Sequence, residues 1–411
     1  MAGHRRGDEI HERGHDGVIQ VSDNSRDRPQ PRQWEVSSRK KRRTLRFQGK
    51  SRDLILLGDR PLVAETPEHL LDDDTTPAEL MFIRNNGRIP ERTRDPEAWS
   101  LRIDGEVENA LSLTLSALRT NYQPMTRRLL IECGGNGRSF LEPPVRGNRW
   151  THGGAACPEW TGVRLADVLR TARVKPSAVF SAHYGADSSN TDASKPALSR
   201  GVPIAKLLDD NNLLVWAVNG EPLPLAHGFP LRLIVPGWPG SVSAKWLTRI
   251  WIRDRHHDGP GMTGISYKVP ICPMPPPTGG AKYDQSNLKD LESMPVRAII
   301  TSPADGARIA AGSKTVALRG ASWAGDFKVR QVDISTDCGE TWQAADLTPP
   351  KNAYDWQRWT ATVNAPSSDH MDIMARATDE RGVTQPLRAD NWNPHGVGVN
   401  PVHHITVRVG D

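Results

Sequence analysis

Five prolines fall within the eleven residues Pro270 to Gly280 (PICPMPPPTGG), and this run limits what the chain can fold into more than any other feature. Proline has no backbone donor and disfavours regular structure, so neither a helix nor a sheet ladder continues through it. The two sides differ in pattern. From about Asp53 to Pro270, strand-like apolar runs (Arg128 to Cys133, Asn212 to Val218, Leu231 to Val235) alternate with helix-like ones such as Arg164 to Ala172, where Leu165, Val168 and Leu169 recur at helical spacing. That predicts a mixed α/β domain in an α+β chain. Beyond the prolines come short alternating runs at Arg297 to Ile300, Thr315 to Leu318, Arg330 to Ile334, Arg358 to Val363, Asp372 to Ala377 and His404 to Val409. Val332 and Ile334 face one way while Gln331 and Asp333 face the other, the period of a half-buried strand. Six or seven such strands predict an immunoglobulin-like β-sandwich. The expected organisation is a basic disordered tail over 1–50, a mixed domain over 51–270, a linker over 271–293 and a sandwich over 294–411.

A net charge of +5 on 411 residues invites a polyanion partner, but its distribution argues otherwise. Residues 1–50 hold 13 Lys and Arg against 7 Asp and Glu, and the remainder holds 40 against 41. The body is electrically balanced and carries no nucleic-acid reading motif, so no nucleic-acid partner is expected. No stretch approaches the ~20 apolar residues of a membrane span, and no membrane association is expected either. The arginine pairs Arg5-Arg6 and Arg42-Arg43 are not followed by the apolar run of an export signal. As written the chain reads as cytoplasmic, with the periplasm as the alternative compartment.

Four cysteines are too few for a disulfide scaffold. One stands out, in Glu132 to Arg138 (ECGGNGR), directly after the apolar residues Leu129 to Ile131. A thiol at a strand end, then glycines that admit a bulky group, then an arginine, sets a soft ligand beside fixed positive charge. Such a setting lowers a thiol pKa and suits Cys133 to bind a soft metal or act as a nucleophile. The same residues also fit a buried small hydrophobe before an ordinary turn. Cys157, Cys272 and Cys338 are expected to bind nothing.

With ECGGNGR and four further blocks in the same order, the chain resembles the sulfite oxidase family of molybdenum enzymes, and the closest likeness is to bacterial sulfite dehydrogenases without a haem domain. The resemblance covers about 350 residues, Arg60 to Asn86, Trp150 to Val163, His227 to Lys245 and Pro295 to Val409 included. It implies a molybdenum held by molybdopterin (Mo-MPT) and by the Cys133 thiolate. It implies that Arg84, Arg138, Trp150, Tyr267 and His395 line the substrate side. Asn85, Asn86, Asp187, His227, Arg232, Ser243, Ala244 and Lys245 would bind the cofactor. Trp160 and Trp246 fit core packing better. The implied reaction is oxidation of sulfite to sulfate, with electrons passed to an external acceptor such as cytochrome c, no haem, and a homodimer formed through the C-terminal domain.

Two positions depart from the family pattern. Asn86 stands where animal members have histidine, and His395 (in WNPHG, 392–396) stands where many members have an arginine that reaches into the anion pocket. An unperturbed imidazole titrates near pH 6.5, so His395 is expected to supply charge only in acid. The competing readings are a sulfane-sulfur dehydrogenase subunit, a methionine sulfoxide reductase of the same fold, and a cofactor-free immunoglobulin-like binding protein.

Overall fold

The computed structural model describes residues 47–276, 284–365 and 369–410. The tail expected over 1–50 lies outside the described residues except for 47–50, and that boundary needs correction, because Lys50 is buried and bonded to the body. Most of the regular structure is strand, with three α-helices among the described residues.

Two five-stranded sheets build most of the mixed domain, beside a three-stranded one of Ile55–Asp59, Leu62–Glu65 and Ile83–Arg84. The first runs in the order Ser199–Arg200, Phe180–Gly185, Leu247–Arg253, Ser100–Gly105, Leu111–Thr114. Its Leu247–Arg253 and Ser100–Gly105 strands are parallel and the other neighbours antiparallel. The second runs Glu221–Pro222, Leu213–Val218, Glu159–Arg164, Met125–Arg128, and Arg232–Ile234 also pairs with Leu213–Val218. The helix Leu165–Ala172 lies against one core with its apolar stripe of Leu165, Val168 and Leu169 fully buried. It ends at Arg173, which turns out at φ 56°. Leu101, Ile103, Leu214, Ile250 and Ile252 complete that core from both sheets. Each such side chain contributes about 1.5–3 kcal/mol by leaving water.

The expected strand over Arg128 to Cys133 is interrupted. Its ladder stops at Arg128 and resumes at Ile131–Glu132, which pairs with Ala155–Ala156. The reason is at Leu130, whose N–H donates to the Tyr354 carbonyl of the C-terminal domain, 2.9 Å away, instead of to a strand neighbour.

The C-terminal part is the sandwich that the alternating pattern predicts. Arg297–Ser302, Thr315–Trp323, Gln357–Asn364 and Asp346–Leu347 form one sheet. Arg308–Ile309, His403–Val409, His370–Asp379, Val329–Ser335 and Gln343–Ala344 form the other. Val332, Ile334, Ile373 and Ala375 meet Ala298, Ile300, Leu318 and Val363 in the core between them. Asp333, expected to face solvent, is buried and ion-paired with Arg376 of the neighbouring strand at 3.2 Å. Within the expected linker, residues 277–283 lie outside the described residues, but Leu288–Asp290 is a strand antiparallel to Lys268–Pro270. Leu288 and Leu291 are buried there, so that half of the segment is bound to the body.

Candidate active site

Cys133 sits where the Ile131–Glu132 strand ends. Its N–H donates to Gly154 O at 2.7 Å, and its carbonyl accepts from the Asn136 N–H at 2.9 Å, which closes the glycine turn. Gly137 takes φ 87°, a conformation glycine adopts without steric cost. A Cβ on Gly134 would meet the Tyr267 ring at 3.2 Å, so glycine there lets the phenol approach the thiol.

Glu132 anchors this loop to the sandwich. Its buried carboxylate accepts from Arg297 Nε at 2.9 Å, Trp323 Nε1 at 2.7 Å and Asn136 Nδ2 at 2.9 Å. Arg297 also donates to the carbonyls of Val399 (2.6 Å) and Asn136 (3.3 Å). The thiol loop therefore depends on the C-terminal domain for its position.

Around Cys133 lies a cleft of about 780 Å³, solvent at its mouth included. Ten of the residues assigned from sequence line it: Arg84, Asn86, Cys133, Asp187, His227, Arg232, Ser243, Ala244, Lys245 and Tyr267. Asn85 sits just behind, 1% exposed, its Oδ1 accepting from Lys245 Nζ. Three expected substrate-side residues are set back. Trp150 is fully buried and meets the wall residue Phe82 edge-on at 5.8 Å. Arg138 is tied to backbone, donating to His395 O (3.2 Å), Gly396 O (3.0 Å) and Asn148 O (3.1 Å). His395 accepts the Tyr267 N–H on Nδ1 at 2.7 Å.

That last contact corrects the expectation for His395. Burial and the charges of Arg138, Arg200 and Arg84 push its pKa down to about 4, so the ring is neutral across the physiological range. It works as a hydrogen-bond acceptor that holds Tyr267, whose φ of 53° is uncommon for a residue of that size. The expectation for Cys133 also changes sign. Burial pushes its thiol pKa up, and the charges of Arg84 and Arg138 with the Gly135 N–H offset that only in part.

Sequence reasoning missed Lys50, His183, Arg200 and the wall role of Trp246. Lys50 donates to the carbonyls of Ala78 and Met81, both at 2.6 Å, and lies 3.0 Å from His227 Nε2. With Lys50 protonated, Nε2 is the acceptor and the His227 proton sits on Nδ1. Burial pushes the Lys50 ammonium down to about 7. Trp246, like Tyr267, has positive φ (48°) and lines the cleft.

Like charges crowd the inner end of the cleft. Burial together with Arg232, Arg84 and Lys50 pushes Lys245 well below its ordinary pKa, with Asp187 pulling the other way. Burial lowers Arg232 to about 9 and raises Asp187 to about 6. Arg232 Nε and Asn85 Nδ2 are buried without a hydrogen-bond partner among the described residues. Buried donors of this kind fit a polyanionic ligand rich in acceptors, such as a pterin that carries phosphate. No cluster of three or more His, Cys, Asp or Glu able to hold a metal occurs among the described residues. Cys133 could serve a metal as one protein ligand, with the rest of its shell supplied by a cofactor.

Residues 86–260 match the family described as the oxidoreductase molybdopterin binding domain, and residues 289–410 match the Mo-co oxidoreductase dimerisation domain. Fold, cleft and donor set thus define a molybdopterin-binding oxidoreductase. The mitochondrial sulfite oxidase of Drosophila melanogaster is 32% identical over 85% of this chain and 62% of its own length. The sulfite oxidase of Gallus gallus is 31% identical over 82% of this chain and 74% of its own. In the crystal structure of the sulfane dehydrogenase SoxCD from Paracoccus pantotrophus, one chain superposes with a TM-score of 0.71 at 26% identity, covering 95% of this chain and 93% of that one. The chain belongs to the sulfite oxidase family. It spans 62 to 66% of the length of the mitochondrial sulfite oxidases it matches.

Proposed function

We propose that this chain oxidises sulfite to sulfate and passes two electrons to an external acceptor such as cytochrome c, working as a homodimer through its C-terminal domain. The observation that carries the reading is a cleft whose wall combines one cysteine thiol, one phenol and cationic side chains that outnumber its single carboxylate, Asp187. A small sulfur oxyanion matches that charge. The sulfite oxidases among its relatives support the same choice.

The Cys133 thiolate would ligate the metal, while Arg232, Lys245, the His227 ring and the Ser243–Ala244 turn would hold the pterin and its phosphate. When bound, that cofactor supplies the two-electron chemistry and the oxygen transfer, and the protein contributes binding, orientation and electrostatics. Arg84 draws the anion into the cleft. Tyr267, kept in place by His395, presents a phenol that donates to an oxyanion oxygen and can pass a proton. Lys245 is held by the Asn85 side chain and the Ala226 carbonyl.

A second reading, oxidation of protein-bound sulfane sulfur, draws support from the likeness to the SoxCD chain. Sulfite-dependent reduction of cytochrome c and of ferricyanide by purified protein of known molybdenum content tests the first reading. A carrier protein bearing a persulfide, offered to the same preparation, tests the second. Turnover with the persulfide and none with sulfite would reverse the choice.

A further inference from the structure

Six arginines of the described chain are buried, and they divide in two. Arg128, Arg253 and Arg297 each pair with a carboxylate, Asp355, Asp258 and Glu132 in turn. Arg138, Arg200 and Arg232 have no carboxylate within ion-pair distance among the described residues. Arg138 is tied through Nε and Nη1 to three backbone carbonyls. Arg232 lies at the end of the cleft shared with His227, whose carbonyl it reaches at 3.2 Å. Arg200 is the unexplained one.

Its surroundings offer little. Arg200 is 2% exposed, Nε meets only the thioether of Met262 at 3.3 Å, and Nη1 donates to the hydroxyl of Ser241 at 2.8 Å. A thioether is a weak acceptor, and a buried guanidinium held by so little is costly unless an anion completes it. Burial accordingly pushes its pKa down to about 10. The side chain lines the cleft, with Cζ 4.1 Å above the ring of Tyr267. Tyr267 in turn packs on Gly134, next to Cys133, so Arg200 stands at the thiol end of the cleft. It arrives there because its strand pairs with Phe180–Gly185, which sets Arg200 opposite His183. His395, edge-on to Tyr267 at 5.0 Å and neutral, brings no charge of its own.

We propose that Arg200 is a substrate-binding residue, whose guanidinium acts with Arg84 to hold the oxygens of a small sulfur oxyanion at the Cys133 end of the cleft. Arg84 approaches from the Ile83–Arg84 strand and Arg200 from an edge strand of a different sheet, so the anion is gripped by two independent elements. Planar forks of this kind read the oxygens of an oxyanion geometrically as well as by charge. This assignment rests on the sulfite reading of the site and specifies its binding half.

The test compares wild type, Arg200→Met and Arg200→Lys, each loaded with molybdenum cofactor and matched for molybdenum content. KM and kcat for sulfite are measured, together with sulfate affinity by calorimetry. Arg200→Met should raise KM and weaken sulfate binding by about 10- to 100-fold, the range of a hydrogen bond to a charged group, with little change in kcat. Arg200→Lys should recover part of both, because charge without the fork remains. A fall in kcat with KM and sulfate affinity unchanged would make Arg200 a prop for Tyr267 and overturn the proposal. So would wild-type constants in Arg200→Met. If loaded wild type turns over no sulfite, the sulfite reading fails by itself. Sulfate affinity across the three proteins then still decides whether Arg200 binds an oxyanion.

Discussion

Replacing His395 by asparagine separates an acceptor role from a charge role. The imidazole accepts the Tyr267 N–H on Nδ1, and burial with three nearby arginines lowers its pKa from 6.5 to about 4. Protonation would set an Nδ1–H against the Tyr267 N–H. The unfolded chain takes up this proton near pH 6.5, whereas the folded chain does so only near pH 4, so the unfolded state binds more protons in between. Stability from this group is complete above about pH 6.5 and is lost as pH falls toward 4. At 1.36 kcal/mol per pH unit the loss is about 3 kcal/mol. Asparagine keeps an acceptor for the amide and cannot titrate. Urea unfolding followed by tryptophan fluorescence at about pH 7 and about pH 4 should therefore give wild type an extra loss of about 3 kcal/mol over His395→Asn. His183, His257 and His403 are lowered to about 4 as well, burial being the largest cause, and they contribute equally in both proteins. Identical pH dependence in the two would refute the role given to His395.

Two further outcomes follow from the donor networks. Glu132→Ala leaves Arg297 buried without its carboxylate and should cost about 3–5 kcal/mol in urea unfolding, much of which Glu132→Ala with Arg297→Met should restore. A loss below about 1 kcal/mol in the single variant would show that the thiol loop does not depend on that pair. Arg232→Met removes a buried guanidinium that we propose holds the cofactor, and it should lower pterin and molybdenum content per chain by about tenfold or more, read by metal analysis and by pterin fluorescence after acid release. Full loading of a folded Arg232→Met protein would exclude that role.

What was legible in the sequence is what local pattern dictates. Alternation at Val332 and Ile334 marks a sandwich strand, spacing of Leu165, Val168 and Leu169 marks a helix, and ECGGNGR marks a tight loop behind a thiol. The other site residues owe their roles to long-range contacts. Arg200 lies in an unremarkable stretch, LSRGVP, and reaches the cleft only through register with His183. Lys50 closes a basic polar run and becomes a site residue only because its Nζ finds His227, far along the chain. The sequence presents His395 as a titratable side chain, yet its partner is a backbone N–H that no motif records. The break at Leu130 has the same origin, a carbonyl supplied by Tyr354 from the other domain.

The central claim is that Cys133 ligates a molybdenum cofactor that oxidises sulfite. Its most direct test is sulfite-dependent ferricyanide and cytochrome c reduction, per molybdenum, by wild type and Cys133→Ser. The account predicts turnover in wild type and a folded Cys133→Ser protein with almost none. Wild-type turnover from Cys133→Ser with its cofactor bound would contradict it.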